Sequence, residues 1–173
     1  TITIAGNGAT IERSGMLGCD LDGSSEDGEF RIFQVVSTGN LTLHNVTVRN
    51  GCADGTTSHR QGGGIFNAGT VTVTISDLSD NRAIFSGAIH NAAGGTVTVT
   101  QSRVSDNLAN SEGGGIGNAT GGTVTVTNSA VWRNDSPVGG GILNAGTATV
   151  TGSNVLDNLA TDGGGIWNNG TAT

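Results

Sequence analysis

The phrase GGGIFNAGTVTVT at 62–74 returns as SGAIHNAAGGTVTVT at 86–100, GGGIGNATGGTVTVT at 113–127, GGGILNAGTATVT at 139–151 and GGGIWNNGTAT at 163–173. Its isoleucines, Ile65, Ile89, Ile116, Ile142 and Ile166, lie 24, 27, 26 and 24 residues apart. A period of this length constrains the fold more than any single residue does. Each repeat is one small unit that can bury its apolar face only against its neighbours. Between the phrases runs a second element of the form apolar-x-x-Asn: Leu78 to Asn81, Val104 to Asn107, Val131 to Asn134 and Val155 to Asn158.

Runs such as Thr-Val-Thr-Val-Thr alternate with period two, are β-branched throughout and are bounded by Gly and Asn, which predicts short strands separated by turns. Propellers use repeats of about 40 residues or more, and leucine-rich repeats need a Leu pattern that this chain lacks. The expected fold class is all-β, a parallel β-helix (β-solenoid) of about six coils plus a partial coil. It forms a single domain over 1–173, with irregular N-terminal coils and inserted loops over 1–61 and regular repeats over 62–173. An early coil is read at 1–11 and another at 30–48, with insertions at 14–29 and 51–61.

Stacking of the repeats assigns roles to the recurring residues. The Ile column, the Val71/Val97/Val124/Ala148 column, the Val73/Val99/Val126/Val150 column and the Leu78/Val104/Val131/Val155 column are expected to point inward. Asn67, Asn91, Asn118, Asn144 and Asn168 are expected to form a ladder at one corner, and Asn81, Asn107, Asn134 and Asn158 a ladder at another. An amide both donates and accepts, so a stacked column satisfies itself, and Asn tolerates the left-handed backbone of a sharp corner. The glycine triplets supply the third corner.

The 31 glycines carry no collagen triplet period, and the seven basic residues are all arginine against 14 acids, a formal net charge of −7. That balance argues against nucleic acid or an anionic membrane as partner. No apolar run approaches the roughly 18 residues that span a bilayer. The chain shows neither an initiator Met nor a signal-peptide pattern, and is expected to be a processed product or a segment of a longer one. Cys19 and Cys52 belong to no CxxC or Cys/His cluster, which argues against zinc. Two readings stay open for them, a disulfide pinning the irregular regions and a pair of free thiols.

The GG[AG]I phrase paired with apolar-x-x-Asn resembles the repeats of bacterial polymorphic outer membrane proteins, with Leu or Val here where that family's FxxN carries Phe. TITIAGNGATIERS, LTLHNVTVRNG and GGGIFNAGTVTV are similar to stretches of the large exported right-handed β-helix proteins of bacterial surfaces. The resemblance implies a right-handed parallel β-helix with an extracellular, adhesive or structural role.

Parallel β-helices also include pectate lyases and polygalacturonases, whose chemistry demands particular residues. Glycoside hydrolysis needs two carboxylates facing one sugar. Asp80, Asp106 and Asp157 stack as a column, but they recur with the repeat as turn residues do. Lyase chemistry asks for calcium carboxylates and a substrate-facing base; there is no lysine, and Arg49, Arg82, Arg103 and Arg133 fall beside the apolar-x-x-Asn element. His44, His59 and His90 have no nucleophile at motif spacing. The acid-rich loop 19–29 offers Asp20, Asp22 and Asp27 as candidate calcium ligands, without the EF-hand spacing. The outward threonines of the TVTVT strands form a flat grid similar to those of solenoid ice-binding proteins. A phosphate-binding reading of the glycine-rich phrase lacks the following helix and the Lys-Ser/Thr pair.

The expected function is therefore a non-enzymatic extracellular structural protein without catalytic residues or a required cofactor. Its ends, Thr1, Ile2, Thr3 and Ile4 at one side and Gly170, Thr171, Ala172 and Thr173 at the other, are expected to stack head to tail with further copies into a filament. The alternatives are a carbohydrate-binding or polysaccharide-cleaving β-helix with cell-surface carbohydrate as partner, and an ice-binding solenoid.

Overall fold

The structure, a computed structural model, describes residues 1–14, 18–22, 29–55 and 59–173. Two long strands, β1 (Ile2–Glu12) and β3 (Asn40–Arg49), each run through a corner, and the short strands β2 (Phe33–Val35) and β4 (Cys52–Ala53) flank β3. In the regular array the same path breaks into short pieces. The first repeat holds β5 (Ile65–Asn67), β6 (Thr70–Thr74), β7 (Asp77–Ser79) and β8 (Arg82–Phe85). The second holds β9 (Ile89–Asn91), β10 (Thr96–Thr100), β11 (Arg103–Ser105) and β12 (Leu108–Glu112). Then follow β13 (Ile116–Asn118), β14 (Thr123–Thr127) and β15 (Ala130–Trp132), and β16 (Ile142–Asn144), β17 (Thr147–Thr151) and β18 (Asn154–Leu156). β19 (Ile166–Asn168) and β20 (Thr171–Ala172) begin one more coil.

Every strand pairs in parallel with its equivalent one repeat away, which makes the molecule a β-solenoid. Phe33 pairs with Ile65 and each phrase isoleucine with the next as far as Ile166, so the chain makes five turns between Phe33 and Ile166. β1 lies on the near side of β3 as an earlier, incomplete coil, with a register shift between Ala5 and Ala9. The turn after the first Asn ladder takes two extra residues in the 27- and 26-residue repeats, with Gly94 and Gly121 left-handed there, and the 27-residue repeat holds one more at the register shift between Ala109 and Glu112.

Alternation along each strand puts one residue in two inside. Val71, Val73, Val97, Val99, Val124 and Val126 are fully buried, as are Leu78, Val104, Val131 and the isoleucines from Ile65 to Ile142. These columns form one continuous core along the axis. A side chain of that size contributes about 1.5 to 3 kcal/mol when buried, and it does so only because the coils above and below cover it.

Three columns of left-handed residues turn the corners. The first runs Asn45, Ile75, Gln101, Asn128 and Gly152, and the second Asn50, Asp80, Asp106, Arg133 and Asp157. The third runs Gly62, Ser86, Gly113, Gly139 and Gly163. This corrects the expectation that the ladder asparagines themselves take the left-handed conformation. At the second corner that conformation belongs to the residue before each ladder Asn, which explains the aspartate column, since Asp is among the few residues that tolerate it. At Gly139 of the third corner glycine is favoured for space as well: a Cβ there would lie 2.9 Å from Leu143 Cβ.

Candidate functional site

The first asparagine ladder is a directed chain of hydrogen bonds. Nδ2 of Asn67 donates to Oδ1 of Asn91 at 2.8 Å, Asn91 to Asn118 at 2.8 Å, Asn118 to Asn144 at 2.7 Å and Asn144 to Asn168 at 2.7 Å. The same amides also reach backbone carbonyls, as Asn118 does at Gly122 and Thr147. In the second ladder Asn81 donates to Asn107, Asn107 to Asn134 and Asn134 to Asn158, at 2.9 to 3.0 Å. There each Oδ1 also receives the preceding ladder residue's backbone N–H. Burial without loss of bonding is what makes amides admissible in this core.

A third ladder escaped the sequence reading. The hydroxyls of Ser102, Ser129 and Ser153 each accept the backbone N–H of the serine one coil before, at 3.1 Å, and Ser76 accepts that of Val46. Each hydroxyl donates to the carbonyl two residues earlier in its own coil. The signal was present: a serine stands two residues after the last threonine in every TVTxS phrase.

Outside the ladders, Cys19 and Cys52 are joined in a disulfide, with Cys52 fully buried. Beside it, the carboxylates of Asp20, Asp22 and Asp54 come within 4.8 Å of one another, the last of them buried. These three are the described residues that could hold a hard divalent cation through oxygen. Asp54 was not anticipated, and Asp27 lies outside the described residues. Glu29 also approaches the two cysteines, whose sulfurs the disulfide occupies.

Ser86 interrupts the repeat, beside His90 and Gly117 of the variable outward column. Ser86 replaces the left-handed glycine of the third corner, and its hydroxyl shares a 3.0 Å hydrogen bond with His90 Nδ1. Gly117 leaves the room for it, since a Cβ there would stand 2.0 Å from Ser86 Oγ. The His90 ring stacks on Phe66 with centroids 5.6 Å apart, and the Arg31 guanidinium lies 5.1 Å from the Phe66 centroid. Burial, with the Arg31 charge adding to it, pushes the His90 imidazole down to about 4, so the ring is neutral at pH 7.

Two of the concave regions differ in their lining. A groove of about 720 Å³ follows the first corner along the axis, with Ile75, Gln101 and Asn128 on one wall and Asp77, Arg103 and Ala130 on the other. Asp77 is the one carboxylate lining it, and it is held in an ion pair by Arg103. A second depression, of about 530 Å³, lies among the irregular N-terminal segments and is lined by Glu29, Phe30, Arg31, Gln34 and His59 beside Cys52. On the opposite scale of regularity, the outward threonines of β6, β10, β14 and β17 pair Thr with Thr at all three positions of every strand.

The sequence-expected ends sit on open edges. Ile2 is 63 % exposed, and Thr1 and Thr3 are exposed beside it. Gly170, Thr171, Ala172 and Thr173 are exposed, with Thr171 and Ala172 paired on one side to β17. No family model, no curated protein and no solved structure matches the chain.

Proposed function

We propose that this protein is a non-enzymatic structural solenoid of the cell exterior whose coils continue from copy to copy, head to tail, as a filament. The observation that carries the reading is one inward column: Ile2, Leu41, Val71, Val97, Val124, Ala148 and Ala172 stack in register, and its first member is exposed while Val71, Val97 and Val124 are fully buried. The isoleucine column behaves alike, with Ile142 buried and Ile166 41 % exposed. Exposed strand edges of this kind template further pairing. The ladders give the contact a direction, because every amide-to-amide hydrogen bond in them runs from the earlier coil to the later one. The two ends therefore differ, and a contact between unlike ends propagates as an open fibre. The disulfide supports an oxidising exterior, as does the resemblance to exported bacterial β-helix proteins.

Electron microscopy and light scattering of the purified protein test this. Unbranched fibres that lengthen with concentration are expected, and Ile166→Lys, which puts a charge into the exposed end column, is expected to leave monomers. A parent protein that stays monomeric at high concentration overturns the reading.

A further inference from the structure

We infer that the depression formed by Glu29, Phe30, Arg31, Gln34 and His59 is a binding site for a neutral saccharide. Among the described concave regions of the irregular N-terminal part, this one has the largest volume and is lined by residues that do not recur with the repeat. The axial groove repeats its walls from coil to coil, and its single acid is engaged by its single base. The N-terminal depression instead brings together a carboxylate, a guanidinium, an imidazole and a primary amide, none of which has an equivalent at the same place in the regular repeats. Its volume of about 530 Å³ suits a mono- or disaccharide, within the range of small-molecule clefts.

Phe30 is the second observation. Among the described residues it is the one aromatic side chain left largely exposed, at 53 %, in a chain that holds only four phenylalanines and two tryptophans. An exposed ring at the rim of a polar cleft is costly to keep in water and is suited to stacking on the C–H face of a sugar. Around it the polar groups are planar and of both signs: arginine and histidine donate, the carboxylate accepts and the amide of Gln34 does both. Vicinal hydroxyls, each donor and acceptor at once, match such a set. The molecule as a whole carries −7, which disfavours an acidic sugar.

The cleft is also held in shape before any ligand arrives. Cys52 N–H donates to the Phe30 carbonyl at 3.0 Å, and the N–H groups of Ile32 and Phe33 donate to Gly63 and Gly64. Arg31 is held against Phe66, which is stacked in turn on His90. The disulfide ties Cys52, in the cleft wall, to Cys19. Binding therefore spends little on ordering the protein.

The inference is independent of the filament reading, because the cleft lies within one copy. Saturation-transfer NMR on the intact protein, with glucose, galactose, mannose, N-acetylglucosamine, their β-linked disaccharides and glucuronate as probes, tests it. Transfer to at least one neutral sugar is expected at millimolar concentration. Phe30→Ala is expected to weaken that binding about tenfold, the worth of one aromatic stacking contact, and Gln34→Ala to weaken it too, with both variants melting where the parent does. Transfer to none of the neutral sugars, preference for glucuronate, or transfer untouched by Phe30→Ala would each overturn the inference.

Discussion

At position 117 the absence of a side chain is decided one coil away. A Cβ there would lie 2.0 Å from the Ser86 hydroxyl, and Ser86 occupies a corner where the neighbouring repeats carry glycine. Gly117→Ala is therefore expected to lose about 1 to 3 kcal/mol by overpacking, in urea denaturation followed by circular dichroism. Adding Ser86→Gly should return most of that loss, since it removes the atom the new methyl strikes. An alanine tolerated without loss, or one that Ser86→Gly does not rescue, would dissolve the coupling. Each departure from the repeat is visible in the sequence on its own. That Ser86 and Gly117 answer one another is not visible, because their contact crosses between coils.

Among the elements, ladder asparagines that share the Gly-Gly-Gly-Ile-x-Asn frame should differ in value by their place in the stack. Asn118 is fully buried and joins Asn91, Asn144 and two carbonyls, whereas Asn168 is exposed and donates to Gly170 alone. Asn118→Ala strands buried partners on both sides and is expected to cost on the order of 3 kcal/mol, and Asn168→Ala less than about 1 kcal/mol, by the same denaturation measurement. Equal costs would mean that the ladder contributes nothing through burial. The elements were largely legible: period, strand alternation and both amide columns follow from residues that recur. The outward faces carry a contrast that recurrence also exposes. Phe66, His90, Gly117, Leu143 and Trp167 occupy one outward column and differ in every coil, while the threonine strands keep theirs unchanged. The serine ladder recurs just as faithfully, but a single serine per repeat reads as an ordinary turn residue until its hydroxyl is seen bridging two coils.

For the whole molecule, stability in a solenoid is close to a sum over coils and their interfaces, so a local constraint acts locally. The disulfide closes a separation of 33 residues in the irregular N-terminal part, which corresponds to about 3 to 4 kcal/mol of chain entropy. Reduction should open the coils around β1 to β4 first and leave the array from β9 to β18 protected. Hydrogen exchange with and without reductant, read by mass spectrometry, separates this from a uniform loss of protection, which would show the solenoid to be a single cooperative unit.

What the order of residues settled is everything that repeats: parallel coils of about 25 residues, the inward valine, leucine and isoleucine columns, and the asparagines at two corners. Stacking imposes the same demand on every coil, so the demand is written several times and can be read. Folding in three dimensions settled what occurs once. The union of Cys19 with Cys52, the arrival of Asp54 beside Asp20 and Asp22 and the cleft around Phe30 all join segments with no period between them. Such contacts depend on how irregular loops close over the first coils, and loop closure leaves no recurring mark on the chain.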